Sequence, residues 1–433
     1  MAQIGRAVHV TAPIEIRVPG DKSLSHRALI FAALASGRSR IRDVLLSADV
    51  HSTAAILRAL GVPVPPLGDD IAIDARGARA LVVPPVDLDC GNSGTTTRLM
   101  AGVAAGCAFR TRFFGDASLS RRPMKRVARP LTAMGARVEL ESGDGLPMVI
   151  HGGRLKSIAW TSETASAQIK SAIILAGVVG GVEVEVTEPS RSRDHTERML
   201  RALGARVDID GTRVRVSPIE VLPPLDIRVP ADPSSAAFLI ALAVLSRSAP
   251  ITVPNVCLNP TRIGFFDVLR AMGGDVHVAE GPEQGGEPTG RIAGSYSQIS
   301  GVTVGEAQVP SMIDELPLLA CVGARAHGTT VIGGAEELRV KESDRIATVV
   351  SNLRAIGATA EERPDGLIVE GSDVPLRGLV RTRGDHRIAM AFGVLGALPG
   401  NEIEIDDPAC VAVSYPGFWA DLDRATRTFA AKR

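Results

Sequence analysis

The sequence predicts an α/β protein of six repeated units, three in each half of the chain. Two repeats and the chain length carry that prediction. The segment RVPGDKSLSHRALIFAALASG, residues 17–37, returns as RVPADPSSAAFLIALAVLSRS at 228–248. Arg17, Val18, Pro19, Asp21, Ser23, Ala32 and Leu34 recur as Arg228, Val229, Pro230, Asp232, Ser234, Ala243 and Leu245, all at an offset of 211 residues. A shorter pattern, Ala-apolar-Gly followed by alternating residues, starts at 59, 133, 202, 271 and 355, at intervals of 74, 69, 69 and 84 residues. Six such units fit the 433 residues, and the longer offset then spans three of them.

The elements follow in order. Both long repeats read as an extended stretch, a turn and an apolar helix. Each glycine of the short pattern follows an apolar-periodic stretch and reads as a left-handed helix cap. The alternating residues after it read as a strand. A sixth helix around Phe418–Arg427 would end the series without a glycine or a strand. GPEQGGEPTGR, 281–291, reads as exposed turns. The RVPG and RVPA segments mark the seams between halves. The chain begins before the first seam, so one domain is expected to combine 1–20 with 230–433, and the other to comprise 21–229, with a cleft between them.

Composition narrows the function. Apolar residues are 45% and charged residues 22%, ordinary for a soluble globular protein. Basic and acidic residues balance at 48 each, which argues against a nucleic-acid partner, and 3% aromatics argue against base stacking. The five cysteines lack paired spacing, which argues for reduced thiols and a cytoplasmic protein. No apolar run is long enough to span a membrane, and MAQIGRAVHV lacks the apolar core of a signal peptide.

The two long repeats differ where chemistry is expected. Lys22, His26 and Arg27 of the first copy are replaced by Pro233, Ala237 and Phe238 in the second. The second copy reports what the fold needs, so the cationic excess of the first marks a site. It lies at a helix N-terminus, where free N–H groups and the helix dipole already favour an anion.

Six further clusters share that character. CGNSGTTTRLMAG, 90–102, joins close-approach glycines to side-chain donors, although a Ser/Thr-rich cap looks the same. SLSRRPMKR, 118–126, is basic and also fits a solvated face. SAQIK, 166–170, and RSRDHTER, 191–198, offer Ser166, Gln168, Arg193 and His195 to hydroxyls or phosphate. PSMIDELP, 310–317, holds Asp314, either a base or part of a capping box with Ser311. RVKESDR, 339–345, places Lys341, Glu342 and Arg345 on part of one helix face. GDHRIAM, 384–390, sets Arg387 at another helix start. Lys22, Arg27, Arg98, Arg122, Arg193, Lys341, Arg345 and Arg387 thus sit near element starts in both halves. A site between the halves would gather them around a small polyanion, with Asp314 and Glu342 as acid and base. Neither carboxylate has a metal-ligand companion at suitable spacing, so no metal and no cofactor are expected.

GDKSLSHRAL, GNSGTTTR, SRRPM, SAQIK, RDHTER, MIDELP, RVKESDR and GDHRIAM, in this order from residue 20 to 390, together resemble the 3-phosphoshikimate 1-carboxyvinyltransferases (5-enolpyruvylshikimate-3-phosphate synthases). The resemblance implies a two-domain inside-out α/β barrel of βαβαββ-type units. It implies transfer of the enolpyruvyl group of phosphoenolpyruvate to the 5-hydroxyl of 3-phosphoshikimate, through a tetrahedral intermediate, with release of phosphate. It sets Lys22, Asn92, Gly94, Arg122, Gln168, Lys341, Arg345 and Arg387 around phosphoenolpyruvate. Around 3-phosphoshikimate it sets Lys22, Ser23, Arg27, Ser166, Ala167, Gln168, Arg193, Asp314 and Lys341. Asp314, Glu342 and Lys22 become the catalytic residues. The substrates are the only partners implied, and a monomer is expected.

Two departures stand out. Many family members carry a lysine where this chain has Val413. The SAQIK and RDHTE motifs resemble the branch often tolerant of glyphosate, yet Gly94 keeps the small residue of sensitive enzymes, so the inhibitor response is left open. Two rival readings are a UDP-N-acetylglucosamine enolpyruvyl transferase, whose usual loop cysteine is missing from GDASLSRRP, 115–123, and a non-catalytic anion-binding scaffold.

Overall fold

The computed structural model describes residues 13–430 apart from 142 and 248. The N-terminal stretch MAQIGRAVHV lies outside the described residues. Six small sheets and two classes of helix make up the described residues. Helices of the first class, Lys22–Leu34, Gly94–Ala105, Ala167–Gly180, Pro233–Leu245, Leu316–Gly323 and His386–Gly396, are buried on nearly every side. Their sequences explain this, because each is almost uniformly apolar and small beyond its first turn, and a helix that is apolar all round belongs in a core. Gly102 shows how tight the packing is: a Cβ there would lie 2.2 Å from the Ala172 carbonyl oxygen of the neighbouring helix.

The sheets lie outside. Ser36–Arg42 and Asp70–Arg76 alternate exposed and buried residues, as expected for strands with one face on a core and one in water. The clearest unit runs strand Leu88–Asp89, inner helix Gly94–Ala105, strand Arg110–Phe114, outer helix Lys125–Met134, then strands Arg137–Leu140 and Met148–His151. These four strands form one sheet, with the first pair parallel and the rest antiparallel. The sixth unit is reduced to strands Arg377–Val380 and Glu402–Ile405, and its outer helix, Phe418–Ala430, agrees with the helix expected there. Gly61, Gly135, Gly204, Gly273 and Gly357 all have positive φ, so the short pattern was a helix-stop signal. One expected strand is displaced: after Gly61 none begins until Asp70. Pro63, Pro65 and Pro66 lie between, and proline cannot donate to a ladder.

The long repeats form helices of identical length and register, Lys22–Leu34 and Pro233–Leu245. Around them the chain exchanges strands. Ile14–Glu15 pairs in parallel with Ile251–Cys257, and Asp226–Arg228 pairs in parallel with Ser36–Arg42. The connecting segments touch at an isolated bridge between Gly20 and Ala231. Gly20 has no room for a side chain there, since a Cβ would lie 2.1 Å from the Asp43 carbonyl oxygen. Two hydrophobic cores flank this junction. One is built from side chains between Leu24 and Val229 together with Cys257, the other from Ile16, Val18 and side chains between Ala231 and Ala425.

Candidate active site

A cleft of about 470 Å³ lies between the two cores, lined by first residues or caps of five inner helices, Lys22, Gly94, Ala167, Asp232 and His386 among them, and by Asp314 just before the cap of the sixth. The sequence caps four of these helices with side chains. Asp21 accepts from Leu24 N at 2.8 Å, Ser93 from Thr96 N at 3.1 Å, Asp232 from Ser234 N at 2.7 Å and Asp385 from Arg387 N at 2.9 Å. Helix dipoles and unpaired N–H groups converging on one cavity favour anions before any charged side chain is counted.

The structure brings most of the expected residues to this cleft. Lys22, Ser23, Arg27, Gly94, Arg122, Ser166, Ala167, Gln168 and Arg193 line it from one half, and Asp314, Lys341, Glu342, Arg345 and Arg387 from the other. Arg27 is buried and donates to Thr196 Oγ1 at 2.8 Å, Ser171 Oγ at 2.7 Å and the Ser23 carbonyl at 3.0 Å, which leaves two N–H donors. Phe238, at the same place in the second repeat, packs on Phe418 instead, with ring centroids 5.6 Å apart. Gln168 accepts from Arg98 Nη1 at 2.5 Å and donates to Thr95 Oγ1 at 2.9 Å.

Among the described residues, three ion pairs cross the cleft. Arg193 donates to Asp314 Oδ2 at 2.6 Å, Arg122 Nη1 lies 3.4 Å from Glu342 Oε1, and at the rim Arg126 donates to Glu337 Oε1 at 2.6 Å. Arg345, 1% exposed, organises the other wall. It donates to Asp385 Oδ2 at 2.8 Å, Glu342 Oε2 at 2.6 Å and Asp314 Oδ1 at 3.3 Å.

The electrostatics follow from that crowding. Burial works to raise the Asp314 pKa, but Arg193, Lys341, Arg387 and Arg345 outweigh it and hold the carboxyl well below its usual range. Glu342 is likewise held well below its usual range: burial is overcome by Arg345, Arg122, His386 and Lys22. Burial lowers Lys341 in spite of Asp314, and burial with Lys22 and Arg387 keeps His386 well below an ordinary histidine. Burial brings Arg98 down to about 10, aided by Arg122 and Arg126.

Three placements differ from the sequence reading. Asn92 is not among the residues lining the cleft and holds Arg122, which is, through a 2.7 Å hydrogen bond to its Oδ1, donating to Asp116 in turn. A short polar side chain in the loop before an inner helix reaches the next loop, not the cavity. His195 is buried away from the cleft, with Nδ1 2.8 Å from Glu287 Oε1. Lys341 and Glu342 share no helix face with Arg345: Lys341 is extended after the 3₁₀ turn Glu336–Val340, and the helix starts only at Arg345.

Sequence reasoning missed Asp49, 3.1 Å from Lys22 Nζ, together with His386, Asp385, Arg126 and Glu337. The signal for Asp385 and His386 was present in GDHR, where an aspartate and a histidine open an otherwise apolar helix. Asp49 sits in the first turn of helix Ala48–Ala59, where an acidic residue passes for a dipole partner. One trio of metal-ligand type, His195, Cys257 and Glu287, is buried among the described residues, and its histidine and glutamate are already hydrogen-bonded to each other.

Comparison with known proteins decides the family. The model of the EPSP synthase family (3-phosphoshikimate 1-carboxyvinyltransferase) matches residues 10–422. The chain belongs to the EPSP synthase family.

Named members of the EPSP synthase family match it along almost their whole length. The 3-phosphoshikimate 1-carboxyvinyltransferase of Sulfurihydrogenibium sp. is 46% identical over 95% of this chain and 97% of its own. That of Bacillus pumilus is 42% identical over 97% and 99%. A solved EPSP synthase from Acinetobacter baumannii superposes with a TM-score of 0.84 at 39% identity, covering 96% of each chain. The enolpyruvyl transferase NikO from Streptomyces tendae gives a TM-score of 0.74 at 20% identity over 96% and 95%, which speaks for the shared fold. The buried helices and outer sheets are thus the inside-out α/β fold of the EPSP synthase family. The UDP-N-acetylglucosamine reading is not favoured.

Proposed function

We propose that this chain transfers the enolpyruvyl group of phosphoenolpyruvate to the 5-hydroxyl of 3-phosphoshikimate and releases phosphate, a step of aromatic amino-acid biosynthesis. One observation beyond family membership carries the reading. Two carboxylates, Asp314 and Glu342, stand in the cleft against cations from both halves: Arg193 and Arg345 on Asp314, Arg122 and Arg345 on Glu342.

The roles follow from chemistry. Asp314 takes the proton of the 5-hydroxyl as its oxygen bonds to C2 of phosphoenolpyruvate. Glu342 gives a proton to C3 in the same addition, leaving a methyl group on the tetrahedral intermediate. Elimination returns a C3 proton to Glu342 and breaks the bond from C2 to the phosphate oxygen, and the proton taken up by Asp314 leaves with the phosphate. Lys22, Arg122, Lys341, Arg345 and Arg387 stabilise the charge of the departing phosphate. Asn92 acts through Arg122, and Gly94 and Gln168 shape the same pocket. Ser23, Arg27, Ser166, Ala167 and Arg193 bind 3-phosphoshikimate.

Glu342 must carry a proton to act as an acid, yet Arg345 and Arg122 hold its pKa well below the usual carboxylate range. The phosphate and carboxylate of phosphoenolpyruvate compete for those two arginines. Drawing them off Glu342 removes the two largest effects opposing burial, so its pKa rises on binding. Substrate therefore arms its own acid.

The halves 21–229 and 1–20 with 230–433 act as two domains that close over the substrates, and closure keeps water from the intermediate. The separate cores and the crossed seams support this division, although residues 1–12 lie outside the described ones. All five cysteines are unpaired thiols, which favours a cytoplasmic setting.

Phosphate release from phosphoenolpyruvate tests the reading, with 3-phosphoshikimate, with UDP-N-acetylglucosamine and with neither. Release with 3-phosphoshikimate alone is expected. Release with the nucleotide sugar would transfer the chain to the rival reaction. No release from a folded protein would leave an anion-binding scaffold.

A further inference from the structure

Arg262 lies in the loop between strand Ile251–Cys257 and helix Gly264–Ala271, and it is 2% exposed. Its guanidinium reaches the junction of the two seams and grips the same residue of both long repeats. Nη1 donates to Asp21 Oδ2 at 2.7 Å, and Nη2 donates to Asp232 Oδ1 at 3.1 Å and Ser234 Oγ at 3.0 Å. Asp21 and Asp232 are the capping residues of the two equivalent inner helices, so one cation fixes two helix starts.

Those starts carry the chemistry. Asp232 Oδ2 accepts from the backbone N–H of Lys22 at 3.2 Å, Asp21 N donates to the Pro230 carbonyl at 2.8 Å and Asp232 N to the Pro19 carbonyl at 2.9 Å. Lys22 is therefore held by the seam opposite its own. Arg262 Nη1 also lies 3.3 Å from His195 Nε2. Arginine can only donate, so Nε2 accepts and Nδ1 donates to Glu287 at 2.8 Å. Asn259, three residues before Arg262, donates to Asp194 Oδ1 at 2.7 Å and Glu287 Oε2 at 2.8 Å. Arg193 is thus anchored through its two following residues by the half that it faces across the cleft.

We propose that Arg262 is a positioning residue that sets the angle between the two seams, and with it the places of Lys22 and, through His195, of Arg193. The proposal deepens the enolpyruvyl-transfer reading and rests on it. Stability alone does not call for this arrangement, because well-packed apolar groups equal or exceed a buried ion cluster in stability. What a guanidinium supplies and an apolar side chain does not is a fixed fork holding two carboxylates at a set separation.

The test compares wild type, Arg262→Ala and Arg262→Lys for kcat and both KM values of 3-phosphoshikimate-dependent phosphate release. Thermal melts report folding, and guanidinium chloride at a non-denaturing concentration is added to each. Displacement of catalytic groups by about 1 Å costs on the order of 10²-fold. Arg262→Ala is expected to lose kcat on that scale, more than either KM changes, and free guanidinium should restore part of it. Arg262→Lys keeps the charge without the fork and should stay impaired with a near-normal melt; it carries the test if Arg262→Ala does not fold. A folded variant within twofold of wild-type kcat overturns the proposal, as does a loss that guanidinium leaves untouched and that follows the melting temperature. An inactive wild type would reject the reaction itself, an outcome separate from an active wild type beside active variants.

Discussion

Arg345 donates to Glu342 at 2.6 Å, and the same guanidinium reaches Asp314 at 3.3 Å. The proposed acid and base of one reaction therefore share a buried cation. Glu342→Gln and Asp314→Asn keep the shape of each group and remove its proton chemistry. Each is expected to lower kcat by at least ~10²-fold, the usual scale of acid–base catalysis. Steady-state phosphate release checks this; a variant within tenfold of wild type would remove that residue from its role.

The same pairs shape acid stability. A carboxyl whose folded pKa lies below its unfolded value adds stability above the unfolded value, and loses it as pH falls through the folded one. Asp314 and Glu342 both lie well below ordinary carboxyls. Their contribution is thus complete above about pH 4.3 and fades as pH falls from there. Thermal melts between neutral pH and pH 3 should show a smaller acid loss in Asp314→Asn than in wild type. An unchanged acid slope would mean that the pair with Arg193 adds nothing to stability.

Asn92 touches Arg122 and not the cavity, so its removal should act on one substrate. Asn92→Ala frees the guanidinium to swing and is expected to raise KM for phosphoenolpyruvate about tenfold, the size of one hydrogen bond to a charged group. KM for 3-phosphoshikimate should change little. Equal effects on both substrates would place Asn92 in the general frame of the site.

A Cβ at Gly94 would lie 2.9 Å from Arg98 Nη1 and 3.3 Å from Arg122 Nη1. Both atoms end flexible side chains, so Gly94→Ala should fold and shift the two guanidinium groups. A higher KM for phosphoenolpyruvate and weaker glyphosate inhibition are expected from inhibition kinetics against phosphoenolpyruvate. Unchanged values for both would show that the arginines move without cost.

Local signals made much of this molecule legible before any coordinates. The six units could be counted because helix stops need left-handed glycines, and these recur visibly. Lys22 and Arg27 could be found because the second repeat supplied a version with Pro233 and Phe238 in their places. Asp49, Arg126, Glu337 and Arg262 stayed hidden because their meaning lies in partners 27 to 241 residues away. The hold of Asn92 on Arg122 was hidden for the same reason: a polar residue in a phosphate-type loop looks alike whether it meets a ligand or an arginine. The strand expected after Gly61 was lost to prolines that were in plain view.

Deuterium incorporation tests the central claim most directly. Wild type and Glu342→Gln would be incubated with phosphoenolpyruvate and 3-phosphoshikimate in D₂O, and the vinyl carbon of the product examined by mass and by NMR. A transient methyl group formed and broken by Glu342 predicts solvent deuterium at that carbon with wild type. In Glu342→Gln it predicts little turnover and no label. Product formed by wild type without deuterium, or label appearing as readily with Glu342→Gln, would contradict addition–elimination through Glu342.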